Sequence, residues 1–523
     1  MMDNVYITGF MGAGKSTIGR SLSRILKRRF VDMDDEISRN SGMSIRAYFE
    51  ELGENNFREA ETKLLQKISS GKSLVVSTGG GVPTSLINRK IMRDSGKVVH
   101  LNATLDECLS RLGGVKTDSV RPLWSDLTSV SALYNSRLEA YADCDLQVEA
   151  SKKSADKLVW EICEKLQPPR SIDVQLGGVR HPLVFTWRAH EEVSILAKPS
   201  KTFVITDKHV SRLHMERYSN ALGDATVVAL KAGERSKTLG SARRLYEAML
   251  KNRLGRDGLV VAIGGGVITD LGAFVASTYK RGVPFILVST SLVGCVDAAI
   301  GGKAAVDLNE VKNPVGCFAT PSAVFLDLRA LSTLTGKCIE EGLVEAYKTG
   351  LVADPSLAGL IERNIDSLLQ GDLLTLAEVV RLSASAKSDV VGKDFKESGL
   401  RRILNFGHTY GHAVESFNNY RLSHGMSVAV GMMVAVAISE NRGLLRNKLS
   451  VGIQRTLRNF VQSRTVIPPA TEAWQIMMND KKNHNGRITF VLLTGLGLPI
   501  CVDDLRPEEL DAAIRNVEGL KNG

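Results

Sequence analysis

Residues 4–22 read NVYITGFMGAGKSTIGRSL. NVYIT is apolar enough for a short buried strand, and Ile18, Leu22, Ile25 and Leu26 recur at helical spacing beyond it. Between them stands Gly9-Phe10-Met11-Gly12-Ala13-Gly14-Lys15-Ser16-Thr17, a GxxxxGK[ST] loop in its required strand–loop–helix setting. Its glycines let backbone N–H groups turn inward around phosphate, and the helix N-terminus adds partial positive charge. Lys15 is placed to reach the β and γ phosphates, and the Ser16 hydroxyl suits Mg2+. A nucleotide site is expected here, without any indication of what receives the phosphoryl group.

Working outward, strands and helices alternate through residue 166, which predicts a small P-loop kinase layout on a parallel sheet. Residues 29–37 read as a second strand ending in acids. On a strand, Asp32 and Asp34 share one face, one acid near Mg2+ and one orienting an acceptor hydroxyl. A solvated acidic helix start is the other reading. Arg58 lies in the helical stretch ENNFREAE, and SLVVSTGGGVP at 73–83 puts three glycines after a buried strand, where the backbone can approach a polar substrate. Residues 113–126, with Lys116 and Arg121, read as a lid. Arg137 sits in a helical run. Pro168 and Pro169 end the last helix and set a boundary near 170.

Alternation then resumes. TFVITD ends in Asp207, TVVAL precedes Glu234 and Lys237, and LVVAI leads into Gly264-Gly265-Gly266-Val267-Ile268-Thr269-Asp270. Glycines between strand and helix suit a dinucleotide, another phosphate or a tight turn, because the full GxGxxG fingerprint is absent. Lys303, Lys312 and Asn313 fall on stretches read as loops, and with Arg281 they make either an anion pocket or scattered surface cations. Beyond about residue 333 the period is helical, with ITFVLL at 488–493 the one later strand-like run. His408 and His412 share a helical face, and His424 opens another helix. This is a metal-site candidate or a set of helix-surface histidines, with Glu345 as a candidate carboxylate and Lys348 three residues on. HExxH is absent.

The chain has 523 residues, 43% of them hydrophobic and 24% charged, which suits about three to four domains. A net charge of +10, spread along the chain, suits anionic small substrates as readily as a polyanion. An aromatic content of 6% leaves few stacking platforms, so no nucleic-acid partner is expected. Seven scattered cysteines without a CxxC pair read as reduced thiols. Neither a signal peptide nor a long apolar run is seen, so a cytoplasmic protein without membrane contact is expected.

In order and spacing, GFMGAGKSTIG, DMDDEI, GENNFREAE, TGGG, RPLW and RLEAY resemble shikimate kinase over residues 1–166 or so. The resemblance implies that Gly12, Ala13, Gly14, Lys15, Ser16, Thr17, Arg111 and Arg121 bind ATP, with Lys15 and Arg121 catalytic. It implies Mg2+ at Ser16 and Asp32, and shikimate at Asp34, Arg58, Gly80 and Arg137. The lid is sparser in arginine than is usual for the family.

Over residues 200–495 the segments GERSK, GGGVITD, VDAAIGGK, KNPVG, EEGLVEAYK, LNFGHTYGHAVE and HGMSVAVG resemble 3-dehydroquinate synthase. That resemblance implies NAD, one divalent metal (Zn2+ or Co2+), and conversion of the phosphorylated keto acid DAHP to 3-dehydroquinate and phosphate. The implied metal ligands are Glu345, His408 and His424, with His412 as a neighbouring acid–base residue. Arg281, Asp297, Lys303, Asn313, Lys348, Lys387, Arg401, Asn405 and His412 would meet substrate, with Lys303, Lys348, Lys387, Arg401, Asn405 and His412 catalytic. Asp207, Glu234, Lys237, Gly265, Gly266, Asp270, Thr290, Ser291, Asp297, Lys312 and Thr333 would meet NAD. One of Lys481 and Lys482 would reach the site. The expected fold is α/β: a P-loop kinase domain over 1–170, a Rossmann-like NAD-binding domain over 171–332, and a mostly helical metal- and substrate-binding domain over 333–523. A homodimer through the synthase half is implied. Competing readings are one inactive half, a relative acting on another sugar phosphate, a glycerol-type dehydrogenase, and a non-catalytic RNA-binding module.

Overall fold

The stretch Asn4–Thr8 (β1) is wholly buried at the centre of a sheet. A computed structural model describes residues 3–112, 127–197, 201–309, 311–462, 465–478 and 488–521. The chain divides into two compact units: Met1–Pro168 together with Asp372–Thr375, and the remainder from Pro169 onward.

In the first unit β1 is joined by β2 (Arg29–Asp32), β3 (Leu74–Ser77), β4 (Gly96–Asn102) and β5 (Leu146–Glu149). The order is β2-β3-β1-β4-β5 and every pairing is parallel. Tyr6, Val31, Phe57, Leu65, Val76 and Val98 pack together as its core. The helix Lys15–Leu26 buries Ile18, Leu22 and Leu26, spaced four apart as a core-facing stripe requires. The loop before it turns at Gly12 and Gly14, both at positive φ, and a Cβ on Gly12 would lie 2.5 Å from the Cys108 carbonyl.

One expectation fails here. Residues 29–37 are not a single strand with Asp32 and Asp34 on one face. The strand stops at Asp32, whose Oδ1 accepts the Asp34 N–H at 3.2 Å and so caps the helix Met33–Ser41. An aspartate at a helix start satisfies an N–H the helix cannot, and this local bond overrides the period-2 pattern. The acids open a helix.

In the second unit the strands are β6 (Arg170–Leu176), β7 (Val179–Thr186), β8 (Thr202–Asp207), β9 (Thr226–Leu230), β10 (Leu259–Gly264), β11 (Phe285–Ser289), β12 (Lys303–Leu308), β13 (Val311–Phe318) and β14 (Ala323–Asp327). The main sheet runs β6-β7-β14-β11-β10-β8-β9, parallel except for β6 on β7. Lys303, Lys312 and Asn313 lie not on loops but on the antiparallel hairpin β12–β13. Strand pairing, which a Gly- and Pro-containing sequence hides, supplies the order there.

From Gly336 the chain is mainly helical. ITFVLL has a partner strand the sequence reading missed: β15 (Phe490–Gly495) pairs with β16 (Leu498–Val502). Helix His424–Asn441 is buried almost all round, as its apolar composition demands. It meets the helix His408–Phe417 over glycines: a Cβ on Gly411 would lie 3.0 Å from the Ser427 carbonyl, and one on Gly431 would overlap the Gly407 carbonyl. That close crossing brings His408 to His424. Among the described residues no helix is long and apolar enough to cross a membrane.

Candidate functional sites

In the first unit Lys15 Nζ donates to the Phe10 carbonyl at 3.1 Å, so the lysine folds back over its own loop. Gly12, Ala13 and Gly14 form the turn, and Lys15, Ser16 and Thr17 the first helical turn. Ser16 Oγ lies 3.4 Å from Ser77 Oγ at the end of β3. Arg111 donates to the carbonyls of Ala13 at 3.2 Å and Ala150 at 3.0 Å. Arg121 and Lys116 lie outside the described residues.

Beside this loop the three glycines are enclosed by charge. A Cβ on Gly80 would stand 3.4 Å from Arg137 Nη1 and 3.7 Å from the Met11 nitrogen. One on Gly79 would stand 2.5 Å from Glu61 Oε1 and 2.8 Å from Asp34 Oδ1, and one on Gly81 would overlap the Arg58 guanidinium. Gly79 and Gly81 leave no room for a side chain unless these charged groups shift, while Gly80 has ordinary contacts only, and Asp34, Arg58, Gly80 and Arg137 converge here. Arg58 follows a break at Gly53 in the helix Ile45–Ser69, and it donates to Glu61 at 2.7 Å and Glu54 at 2.8 Å. Glu61 was given no role from sequence, although it closes the ENNFREAE stretch. Burial pushes its carboxyl up to about 7 against the pull of Arg58.

In the second unit Glu345, His408 and His424 offer ligand atoms all within 4.8 Å of one another. Glu345 Oε1 is buried and accepts no hydrogen bond among the described residues, with His424 Nε2 at 3.2 Å and His408 Nε2 at 3.6 Å. The far ring nitrogens are taken: His408 Nδ1 lies 3.3 Å from the Phe406 carbonyl, and His424 Nδ1 lies 3.3 Å from Glu415 Oε2. Each Nε2 therefore faces inward beside an orphaned carboxylate oxygen, which is the donor set and outer support a zinc-like ion requires. Burial opposes a charge on His424, but Glu345 and Glu415 outweigh it and push the imidazole up to about 10. The His412 ring sits 5.5 Å from His408 and 6.3 Å from His424.

Cations and acids adjoin this group. Lys348 Nζ donates to Glu345 Oε2 at 2.5 Å and stands 3.9 Å from Asp297 Oδ1. Lys387 donates to Asp297 Oδ1 at 2.5 Å. Burial would raise Asp297, but Lys387 and Lys348 hold it at about 2, while burial pulls Lys387 down to about 8 against the attraction of Asp297. Asp297 lies in a π-helical turn, Gly294–Ala298, a geometry frequent at functional sites. Lys303 pairs with Glu397, which also accepts from Asn405 Nδ2 at 2.9 Å. Arg401 is buried and donates to the carbonyls of Gly301 at 3.0 Å and Phe395 at 2.8 Å. Glu397 and Glu415 were missed as site residues. Glu415 closes the quoted LNFGHTYGHAVE segment, and Glu397 carried no spacing signal.

The glycine turn after β10 opens the helix Gly266–Thr278, and no side chain caps it. A Cβ on Gly265 would stand 3.0 Å from Ser291 Oγ and one on Gly266 3.1 Å from Ala298 Cβ, so a narrow cradle faces a free helix N-terminus, as a pyrophosphate requires. The Thr290 N–H donates to the Gly264 carbonyl at 3.0 Å. Lys237 donates to Asp270 at 2.5 Å and Asn313 at 2.6 Å. Lys312 lies 3.3 Å from Glu415, and Asp207 caps the helix Lys208–Leu222. Glu234 lies in the turn before Lys237, and Thr333 Oγ1 sits 3.1 Å from His214 Nε2. Arg281 is exposed and closes the short turn Tyr279–Arg281. Lys481 and Lys482 lie outside the described residues.

Fold and sites define a fusion of two α/β units, one with a glycine-lined anion site and one with a metal-type centre set in charge. The shikimate kinase family model matches residues 11–167, and the N-terminal and C-terminal 3-dehydroquinate synthase models match 227–341 and 342–483. A bifunctional shikimate kinase/3-dehydroquinate synthase of Thermotoga maritima is 30% identical over 492 residues, 91% of this chain and 93% of the relative. A 3-dehydroquinate synthase of Caldanaerobacter subterraneus is 39% identical over 339 residues, 62% of this chain and 94% of the relative. Among solved structures, 2-epi-5-epi-valiolone synthase from Streptomyces hygroscopicus, with NAD+ and Zn2+ bound, superposes with a TM-score of 0.60 at 26% identity. It covers 65% of this chain and 98% of its own. The chain belongs to the bifunctional shikimate kinase/3-dehydroquinate synthase family.

Proposed function

We propose that each unit catalyses one reaction of the shikimate pathway. The first transfers phosphoryl from ATP to the 3-hydroxyl of shikimate, and the second converts DAHP to 3-dehydroquinate with release of inorganic phosphate. In finer terms, residues 1–170 are a P-loop kinase domain, 171–332 a Rossmann-like NAD-binding domain and 333–523 a helical metal- and substrate-binding domain. The observation that carries the second activity is the convergence of Glu345, His408 and His424 beside buried Lys348 and Lys387.

In the kinase, the backbone N–H groups of residues 12–17 and Lys15 hold the ATP phosphates, with Arg111 on the adenine side and Arg121 neutralising charge on the transferred group. Mg2+ would be held by Ser16 and Asp32, directly or through water, and would supply further charge neutralisation. Arg58 and Arg137 grip the shikimate carboxylate, as guanidinium forks do. Gly80 lets the ring approach the backbone, and Asp34 orients the attacking hydroxyl.

In the synthase, bound NAD supplies reversible oxidation of a substrate hydroxyl, and Zn2+ or Co2+ held by Glu345, His408 and His424 supplies its acidification. The chain binds and orients. Lys303, Asn313, Arg281 and Arg401 hold the phosphate and carboxylate. Lys348, Lys387 and Asn405 hydrogen-bond the hydroxyls, Asp297 lies at the nicotinamide end, and His412 moves a proton at its ring nitrogen. A second copy pairs through this unit.

The test is phosphate release from DAHP by the full-length protein without ATP, with catalytic NAD and Zn2+. Multiple turnovers abolished by EDTA and restored by zinc are expected. No release from the metal- and NAD-loaded protein would overturn the synthase reading. Shikimate-dependent ADP formation tests the other half.

A further inference from the structure

The RLEAY segment contributes Arg137 to the acceptor site, but its last residue has no part in that reading. Tyr141 is 2% exposed and lies four residues after Arg137 on the helix Leu127–Ala142, so the two share a helix face. Its hydroxyl donates to the Gly80 carbonyl at 2.7 Å and also meets the Arg137 side chain, so it touches both the peptide and one of the arginines. Its ring stacks on His100, with centroids 5.0 Å apart and planes at 18°. Burial pushes the phenol up to about 12 and the His100 imidazole down to about 4, so both rings stay neutral and Tyr141 stays a donor at working pH.

The Gly80 carbonyl belongs to the peptide linking Gly80 to Gly81. That peptide lies between the two guanidinium groups, with Arg137 against Gly80 and Arg58 against Gly81. Consecutive glycines have little preference for one backbone orientation. The peptide unit is planar, so fixing its carbonyl also fixes the Gly81 N–H on the opposite side. The flanking carbonyls are held by the turn that follows, Gly79 by the Val82 N–H at 3.2 Å and Gly81 by the Thr84 N–H at 3.0 Å and hydroxyl at 2.7 Å, so the bond from Tyr141 is what fixes the remaining carbonyl, the one between both arginines.

We propose that Tyr141 is a positioning residue for the acceptor site, its hydroxyl holding the Gly80–Gly81 peptide in the orientation that lets Arg58 and Arg137 close on one carboxylate. This rests on the shikimate kinase reading of the first unit. Loss of the bond weakens acceptor binding and leaves nucleotide binding alone, because the phosphate loop makes no use of the phenol.

The test is Tyr141→Phe in the full-length protein, which keeps the ring and its stacking. Shikimate-dependent ADP formation is measured, with phosphate release from DAHP as an internal control and hydrogen-exchange protection of the helix Leu127–Ala142 as a check on folding. The expected result is a KM for shikimate raised about three- to tenfold, the size of one lost hydrogen bond. The KM for ATP, the DAHP turnover and the helix protection should stay unchanged. An unaltered shikimate KM overturns the proposal. So does an equal rise in both KM values with loss of protection, which would make Tyr141 a packing residue. Wild-type protein without shikimate-dependent ADP formation would overturn the kinase reading itself, and the proposal with it.

Discussion

Two glutamates, Glu61 in the first unit and Glu345 in the second, start from the same position and end in different states. Each is 1% exposed, and each has an Oε1 without a hydrogen-bond partner among the described residues. Burial pushes both carboxyls up. Glu61 faces Arg58 and, more weakly, Arg137, with the acid Asp34 working against them, and it sits at about 7. Glu345 faces Lys348, His408 and His424, which together outweigh burial and hold it well below the usual carboxylate range. The number of cationic neighbours the fold gathers, not depth or residue type, decides which glutamate stays ionised. An ionised carboxylate among histidine nitrogens is suited to a divalent cation. One near neutrality is suited to orienting an arginine.

The widest break between the two sites is Glu345→Gln. Outer-shell partners of a metal are worth about 10–100-fold, so loss of a ligand should lower DAHP turnover more than about a hundredfold and strip zinc from the purified protein. Shikimate-dependent ADP formation should be untouched. Full zinc content in this variant would remove Glu345 from the ligand set. Glu415→Gln takes away the carboxylate at His424 Nδ1, 3.3 Å away. Zinc affinity, measured by competition with a chelator, should fall about ten- to a hundredfold, and an unchanged affinity would leave Glu415 as a partner of Lys312 alone.

How much of this was legible in the sequence follows the range of the interactions. The phosphate loop was legible because strand, glycines, lysine and helix are contiguous. The histidines were legible as a group, but spacing alone favoured pairing His408 with His412. His408 meets His424 because Gly407, Gly411 and Gly431 let two helices cross closely, which no local period reports. Asp34 was placed on the wrong element because an Asp32 cap and a strand end look alike in a run of acids. Glu61 and Glu397 were passed over for the same reason: an acid in a polar helix or loop reads as solvated until its partners arrive from elsewhere in the fold. The hairpin carrying Lys303 and Lys312 was read as loops because its order comes from cross-strand pairing.

The comparison sharpens with two smaller effects in the first unit. Arg58→Lys keeps the charge but not the fork that reaches Glu54, Glu61 and a carboxylate together, so the KM for shikimate should rise about tenfold with that for ATP unchanged. A conserved shikimate KM would place the carboxylate elsewhere. Glu61→Gln has the smallest effect and the most specific signature. The Glu61 carboxyl is raised from 4.5 to about 7 by folding. Between those values the folded state holds more protons than the unfolded, so its contribution to stability falls as pH rises through that window. Below 4.5 both states are protonated and the penalty vanishes, and above about 7 it is present in full. Glutamine has no such proton. Hydrogen-exchange protection of the helix Ile45–Ser69 should therefore fall with pH across this window more steeply in the wild type than in Glu61→Gln. Parallel profiles would mean that Arg58 keeps Glu61 ionised throughout, and that the two buried glutamates differ only in what they touch.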